Sequence, residues 1–182
     1  MLLAGLRCLT KPKLAERVAS CNEVCDTHTV LRSDYEGQIC SIARGLELVG
    51  ERWTLLIIRD VFRGKRRFEE IQQSLGIARN VLTARLTRLV DEGVLTKARY
   101  QERPERFEYR LTEKGIDLWP VIVSLLQFGD RYYAPDGPPM VLVHKDCGGR
   151  LDEHRTCETC GARLQARDVT AQLGPGAGLA AA

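Results

Sequence analysis

The chain has 182 residues, of which 44% are hydrophobic and 28% charged, and its formal net charge is +3. This length and composition suit one globular domain with a small appendage. No apolar run approaches the roughly 20 residues of a membrane span, and no signal-like cleavage site follows the opening MLLAGLRCL. We therefore expect a cytoplasmic protein without a membrane partner, in which seven cysteines favour metal or redox chemistry over disulfides.

The positive charge is concentrated in one window. Residues 63–110 contain twelve basic and seven acidic side chains, so this window carries +5 and the rest of the chain sums to −2. Such an asymmetry indicates a surface that faces phosphates.

Residues 1–33 show no sustained periodicity, and we expect a poorly ordered extension there. Recognisable structure begins only after Asp34. A further hypothesis is therefore that translation starts near Val30 or Leu31.

From Ile39 onward, apolar residues recur with the 3.6-residue period of amphipathic helices. Three helices are predicted before residue 76: one with the stripe Ile39, Ile42, Leu46 and Val49, one over LLIIRDVF with Thr54 as its cap, and one with the stripe Phe68, Ile71 and Leu75.

The stretch Gly76–Gly93, GIARNVLTARLTRLVDEG, predicts a fourth helix. A short helix, a turn containing glycine and a second helix together make the helix-turn-helix pattern. One face of the second helix is apolar. The opposite face carries short or hydrogen-bonding side chains suited to a nucleic-acid groove, namely Asn80, Thr83, Ala84, Thr87 and Arg88, and it is flanked by Arg79 and Arg85. An ordinary solvated helix face is the alternative.

The period then changes to two, which predicts strands over Val94–Tyr100 and Phe107–Leu111 joined by a loop around Pro104. A hairpin directly after a helix-turn-helix is a wing. Arg103 and Arg106 at its tip are expected to meet phosphates, as are Lys65, Arg66 and Arg67; a hairpin charged only for solubility is the alternative.

A further helix is predicted after Thr112, its expected cap, with a kink or break at Pro120. Residues 116–133 are apolar on more than one side. A dimerisation helix is therefore favoured over an intramolecular core helix.

The segment VHKDCGGRLDEHRTCETCGARL contains two ligand pairs, His144 with Cys147 and Cys157 with Cys160. Each pair has two intervening residues and a glycine after its second member. This spacing favours a structural, tetrahedral Zn²⁺ site, which would also explain how so short a module folds. A redox-active Cys157/Cys160 pair and a site that has lost its metal remain alternatives, and His154 is a substitute ligand.

Four motifs in order resemble the HxlR family of bacterial winged helix-turn-helix regulators. They are GLELVGERWTLLIIRD from Gly45, RFxxI from Arg67, VLTxRLxxL from Val81 and YxLTxKG from Tyr109. The resemblance runs from about Tyr35 to Tyr132 and implies a homodimeric, MarR-like DNA-binding repressor or activator with the helix Arg79–Arg88 in the major groove.

Two positions in the resemblance have particular implications. Family members often carry serine where this chain has Ala78, so the cap of the fourth helix is missing here. Cys40 matches a position that senses electrophiles or oxidants in some members. Packing at the dimer interface is preferred for Cys40, and thiol sensing stays an alternative.

The expected fold is therefore mainly α with a small β hairpin (α+β), a winged helix-turn-helix domain followed by a small zinc-ribbon-like β appendage. The expected boundaries are an extension over 1–33, the DNA-binding and dimerisation domain over 34–134, a linker over 135–139, the ribbon over 140–168 and a disordered tail over 169–182.

The expected function is a homodimeric transcriptional regulator on double-stranded DNA with a pseudo-palindromic operator. A protein-interaction module in transcription and a redox-sensing regulator are the alternatives, and a small-molecule or oxidant effector stays open. An enzyme is disfavoured because no catalytic constellation is apparent.

Overall fold

The computed structural model describes Tyr35 and residues 39–178. The helices and strands of this part belong to the second of two units into which the chain divides, Ile39–Ala182. The expected N-terminal extension and the proposed start near Val30 lie outside the described residues. No helix of the described part is long and apolar enough to cross a bilayer.

Four helices build the first half of this unit. They are α1 Ser41–Val49, α2 Thr54–Phe62, α3 Phe68–Leu75 and α4 Arg79–Asp91. Only residues 76–78 separate α3 from α4, and Gly76 takes the left-handed conformation (φ 60°) that ends α3. The predicted helix-turn-helix is therefore present.

Apolar side chains from α2, α3 and α4 make the core of this half. Its fully buried members include Ile57 and Ile58 of α2, Ile71 of α3 and Leu82 of α4. The other buried residues of α4 are Leu86 and Leu89. The helical periodicity of the sequence therefore predicted the core-facing side of this helix.

The wing follows as an antiparallel hairpin of β1 Leu95–Gln101 and β2 Arg106–Leu111, with Leu95 opposite Leu111. The link before α3 runs beside it, because the backbone N–H of Tyr109 donates to the carbonyl of Arg66 at 2.7 Å. The wing is thereby fixed to the start of the helix-turn-helix.

Two short steps connect the wing to the last helix. Thr112 caps α5 Glu113–Ile116, since its hydroxyl accepts the N–H of Gly115 at 3.1 Å, as predicted. Pro120 breaks the helical segment as predicted: it lies in the first turn of α6 Trp119–Tyr133, where its missing N–H costs nothing.

The C-terminal module is a ribbon built on β3 Met140–His144 and β4 Val169–Leu173, which pair antiparallel. Short bridges such as Leu151 with Cys157 connect the segment between them. The expectation of a disordered tail from 169 is thus wrong for β4 and for the 3₁₀ turn Pro175–Gly178. The sequence did not predict β4, because this strand depends on pairing with β3, 25 residues earlier, and not on a local pattern.

Two local expectations are wrong. Ile39 and Ile42 are not buried in the chain but are 100% and 73% exposed, because α1 contacts the core through Leu48 and Val49 instead. Thr54 does not cap α2: it is the first helical residue, buried, and the cap position is Trp53 with a left-handed φ of 81°.

The start of α3 depends on one carboxylate. Glu70 accepts the N–H groups of Arg66 at 2.9 Å and Arg67 at 3.0 Å. The bond from the Arg67 N–H, followed by that from Arg66, holds the pKa of Glu70 below its ordinary value of 4.5.

We predict that Glu70→Gln lowers the thermal midpoint at neutral pH. A carboxylate with a lowered pKa stabilises the fold above its ordinary pKa of 4.5, and this contribution is lost as the pH falls through the lowered value. The thermal midpoints of the wild type and the variant should therefore differ at neutral pH and become equal in acid. Glu69→Gln, at the neighbouring carboxylate, serves as the control. A difference that is the same at every pH would contradict this role of Glu70.

Candidate nucleic-acid interface and metal cluster

The outward face of α4 begins with polar side chains. Asn80, Thr83 and Thr87 are exposed, while the opposite face packs into the core. The hydroxyl of Thr83 donates back to the carbonyl of Arg79 at 2.9 Å, in an exposed hydrogen bond within the helix. No side chain caps this helix, as Ala78 predicted, so its first N–H groups can donate hydrogen bonds to a phosphate.

Two arginines of α4 have a different role. Arg85 forms an ion pair with Glu51 at 2.7 Å, and Arg88 donates to the backbone carbonyl of Glu47 at the end of α1. Both are half-buried. These contacts anchor α4 to the last turn of α1 and to the residue after its cap, and they separate Arg88 from the exposed face where the sequence analysis had placed it.

Two other arginines lie on aromatic rings beside α3. The guanidinium carbon of Arg79 is 4.8 Å from the centre of the Phe68 ring, and that of Arg67 is 4.8 Å from the centre of Tyr100 in β1. Stacking fixes the direction of these charges and leaves their edges open for hydrogen bonds.

The two other predicted phosphate contacts in the link before α3, Lys65 and Arg66, have different surroundings. Lys65 bonds to the hydroxyl of Ser74 and lies 3.9 Å from the buried carboxylate of Asp60. Arg66 is exposed and lines a cavity against the C-terminal module. The sequence did not predict the position of Arg66, because the cavity is completed by Lys145 and Arg167 of the module.

The wing carries Arg103 and Arg106 as expected. Both are exposed, and within residues 39–178 neither has an acidic partner. Arg99 of β1, by contrast, lies 3.4 Å from Glu105 and 3.9 Å from Glu102. The tip of the wing therefore presents two cations that are available to phosphates.

The four predicted metal ligands come together. The donor atoms of His144, Cys147, Cys157 and Cys160 all lie within 4.8 Å of one another. Nδ1 of His144 is 3.3 Å from the sulfurs of Cys147 and Cys160, and the sulfurs of Cys147 and Cys157 are also 3.3 Å apart. These separations are far longer than a disulfide and close to the edge of a metal-centred tetrahedron, roughly 3.5–3.8 Å for zinc. The cluster can therefore hold a metal ion.

Two matching turns present these ligands. The N–H of Gly148 donates to the carbonyl of His144 at 2.8 Å, and that of Gly161 donates to the carbonyl of Cys157 at 2.9 Å. Both glycines have the positive φ that the spacing predicted, 71° and 72°. Each turn thus points two ligands to one side.

One further glycine was missed by the sequence analysis. A Cβ on Gly149 would lie 2.4 Å from the sulfur of Cys157 and 2.6 Å from Oγ1 of Thr159, far inside contact distance. The doubled glycine after Cys147 could have drawn attention to it. Gly149 lets the two ligand turns approach each other.

The environment of Cys157 favours its metal-binding form. Its pKa is lowered to about 6, chiefly because the backbone N–H of Cys160 stabilises the thiolate. On the opposite side of the cluster, Nε2 of His144 lies 3.4 Å from a carboxylate oxygen of Asp146, which suits Nδ1 as the ligand atom. His154 lies outside the cluster and is exposed.

Helix α6 connects the two halves of the unit. Its Trp119 and Val123 are buried in one cluster with Cys157, Leu164 and Val169 of the module. Farther along, the side-chain amide of Gln127 donates to the carbonyl of Asp152 at 2.8 Å. A second copy of the chain was favoured as the partner of this apolar helix, which is wrong for Trp119 and Val123. The module buries these two side chains within the chain.

The outer face of α6 remains uncovered by the described part of the chain. Val121, Leu125, Phe128 and Tyr132 follow the spacing of one helix face and are 41–63% exposed. Ile42 and Leu46 of α1 add further exposed apolar surface. Cys40 is half-buried and lies directly before α1.

Comparison with known proteins agrees with this architecture. The HxlR-like helix-turn-helix family matches residues 48–137. An uncharacterized HTH-type transcriptional regulator of Mycobacterium tuberculosis, Rv3095, is 50% identical over 143 residues, which is 78% of this chain and 89% of the relative. A cyanobacterial HTH-type regulator from Synechocystis is 34% identical over 97 residues, 53% of this chain and 72% of the relative.

A solved structure shares the fold. The crystal structure of PA1607, assigned as a transcription factor, is 41% identical, with a TM-score of 0.60, and the match covers 72% of this chain and 93% of that protein. With its helix-turn-helix and adjoining wing, the chain is a DNA-binding transcriptional regulator and not an enzyme. It belongs to the HxlR-like helix-turn-helix family, as the sequence motifs implied.

Proposed function

We propose that the chain regulates transcription as a homodimer that binds a two-fold related operator, with α4 of each copy in a major groove. The observation that carries this proposal is the exposed polar face of Asn80, Thr83 and Thr87 on a helix whose other side is locked into the core. A helix presented in this way suits reading of base edges.

The charged side chains divide into two groups by their surroundings. Arg103 and Arg106 on the wing and the ring-stacked Arg67 and Arg79 are available to phosphates. Arg88, which donates to α1, positions the helix rather than reading bases. This grouping supports reading by the first two turns of α4 and anchoring by the wing and the start of the helix-turn-helix.

We predict that Asn80→Ala lowers sequence preference, whereas Arg103→Gln lowers the affinity for all DNA sequences. The first removes a donor and acceptor from the reading face and should relax preference at one base pair per half-site by about 1–3 kcal/mol. The second removes one phosphate contact, so it should weaken all sequences alike and reduce the salt slope by about one unit per copy. Fluorescence anisotropy on selected and scrambled DNA at several salt concentrations measures both.

Arg163→Gln is the matched control, because it removes the same charge from an exposed position on the C-terminal module. It should leave both the preference and the slope unchanged. Identical effects of Asn80→Ala and Arg103→Gln on every sequence would refute the division of roles.

The homodimer rests on the uncovered apolar faces. A row of four large apolar side chains on α6 is unusual on a monomer, and a second copy related by a two-fold axis would bury it against itself. Phe128 and Tyr132, whose ring centres are 5.0 Å apart, lie near the end of this row. Two copies would also present two α4 helices at a fixed spacing.

We predict that Phe128→Asp converts the dimer to a monomer, since each copy would bring an uncompensated charge into the contact. Light scattering should give twice the chain mass of 20.4 kDa for the wild type and the single mass for the variant. Leu173→Asp, at a 78% exposed apolar residue of β4, is the control and should remain dimeric. A dimeric Phe128→Asp would exclude this face of α6 from the interface.

For the cluster of His144, Cys147, Cys157 and Cys160 we propose a structural Zn²⁺ ion. Three sulfurs and one imidazole nitrogen are the donor set that zinc prefers, and all four positions would be filled by protein. The bound ion would also add the folding free energy that a module of about 40 residues lacks.

We predict about one zinc per chain in protein purified without added metal, measured by elemental analysis. Gly149→Ala should lose zinc to a chelator with affinity lowered about tenfold or more, since its Cβ displaces the Cys157 sulfur. Gly178→Ala, whose Cβ would meet nothing within 4 Å, should retain zinc. Zinc-free protein that has lost two thiols would instead support the redox pair Cys157/Cys160.

A further inference from the structure

A cavity of about 400 Å³ lies between the DNA-binding half and the C-terminal module. Its charged lining is entirely basic: Arg66 and Arg110 come from the DNA-binding half, and Lys145 and Arg167 from the module. Because like charges repel, cations converge in this way only where counter-charges offset the energetic cost.

Neighbouring acids neutralise half of this charge. Arg110 bonds to Glu108 at 2.9 Å, and Arg167 bonds to Glu113 at 2.7 Å. Within the described residues, the side-chain ammonium of Lys145 donates only to the backbone carbonyl of Arg167, and Arg66 has no ion pair. Two positive charges are therefore left at the cavity without a counter-charge.

The rest of the lining is apolar. Phe62 at the end of α2, Leu111 at the end of β2 and Ile116 of α5 are half-buried, and Val61 and Ala166 complete this side. A volume of 400 Å³ lies within the range of small-molecule sites, which combine an apolar body with a few polar groups. A bare inorganic anion would leave the apolar side unused.

We propose that this cavity binds a small amphipathic carboxylate. Its apolar ring or chain would lie on Phe62, Leu111 and Ile116, and its carboxylate would meet Arg66 and Lys145. Such a ligand would contact the wing strand, the link before α3 and the module at once. The site goes beyond the proposed function, because ligand binding requires neither DNA nor a particular operator.

The test is calorimetric titration of the full-length, metal-replete protein with 2-naphthoate, with 2-naphthamide as the uncharged match. We expect one naphthoate per chain with saturable binding in the micromolar to millimolar range, and about tenfold weaker binding of the amide because it lacks the charge. Arg66→Gln and Lys145→Gln should each weaken naphthoate binding by about tenfold, and Arg163→Gln should not. Zinc content and thermal midpoint verify that each variant is folded.

Four results would overturn the proposal. The first is the absence of saturable naphthoate binding up to millimolar concentration, and the second is equal binding of the amide. The third is naphthoate binding that neither Arg66→Gln nor Lys145→Gln weakens. The fourth is displacement of naphthoate by inorganic phosphate at equal concentration, which would make the cavity a simple anion site.

Discussion

The packing of α6 against both the helix-turn-helix core and the C-terminal module is the constraint on which the rest of the structure depends. Leu118 and Ile122 contact the helix-turn-helix core, whereas Trp119 and Val123 are buried under Cys157 of the module. Burial of each large apolar side chain contributes roughly 1.5–3 kcal/mol. The face with Phe128 stays exposed, and it is the interface that we propose for a second copy. One helix thus joins the part that reads DNA, the part suited to a metal and the proposed interface.

The DNA-binding half was largely predictable because its information is local. The 3.6-residue period gave the helices, Gly76 gave the turn, and alternation gave the wing. What could not be predicted was the direction of individual long side chains. Arg88 has the charge and position of a base-reading residue, yet it donates to Glu47, 41 residues earlier. Such a contact depends on how α1 packs, which no periodicity encodes.

For the metal cluster, too, local features were predictable and contacts between distant residues were not. Ligand spacing predicted which four atoms would meet, since each pair is held by a tight turn with glycine at a positive φ. The module's extent was missed: β4 reads VTAQL, too short and too mixed to indicate a strand without its partner β3. Gly149 was missed as well, because its role arises from the sulfur of Cys157 and not from its own backbone.

The position of Trp119 has a consequence for recognising related proteins. The 143 residues shared with the mycobacterial relative exceed the span 48–137 of the family region, so similarity continues outside it. In a family member whose chain ended after the last helix, this indole and Val123 would lose the side chains that bury them here, and we expect polar residues at both positions. An apolar pair at these positions can therefore serve as a marker, inside the shared domain, of an attached ribbon beyond it.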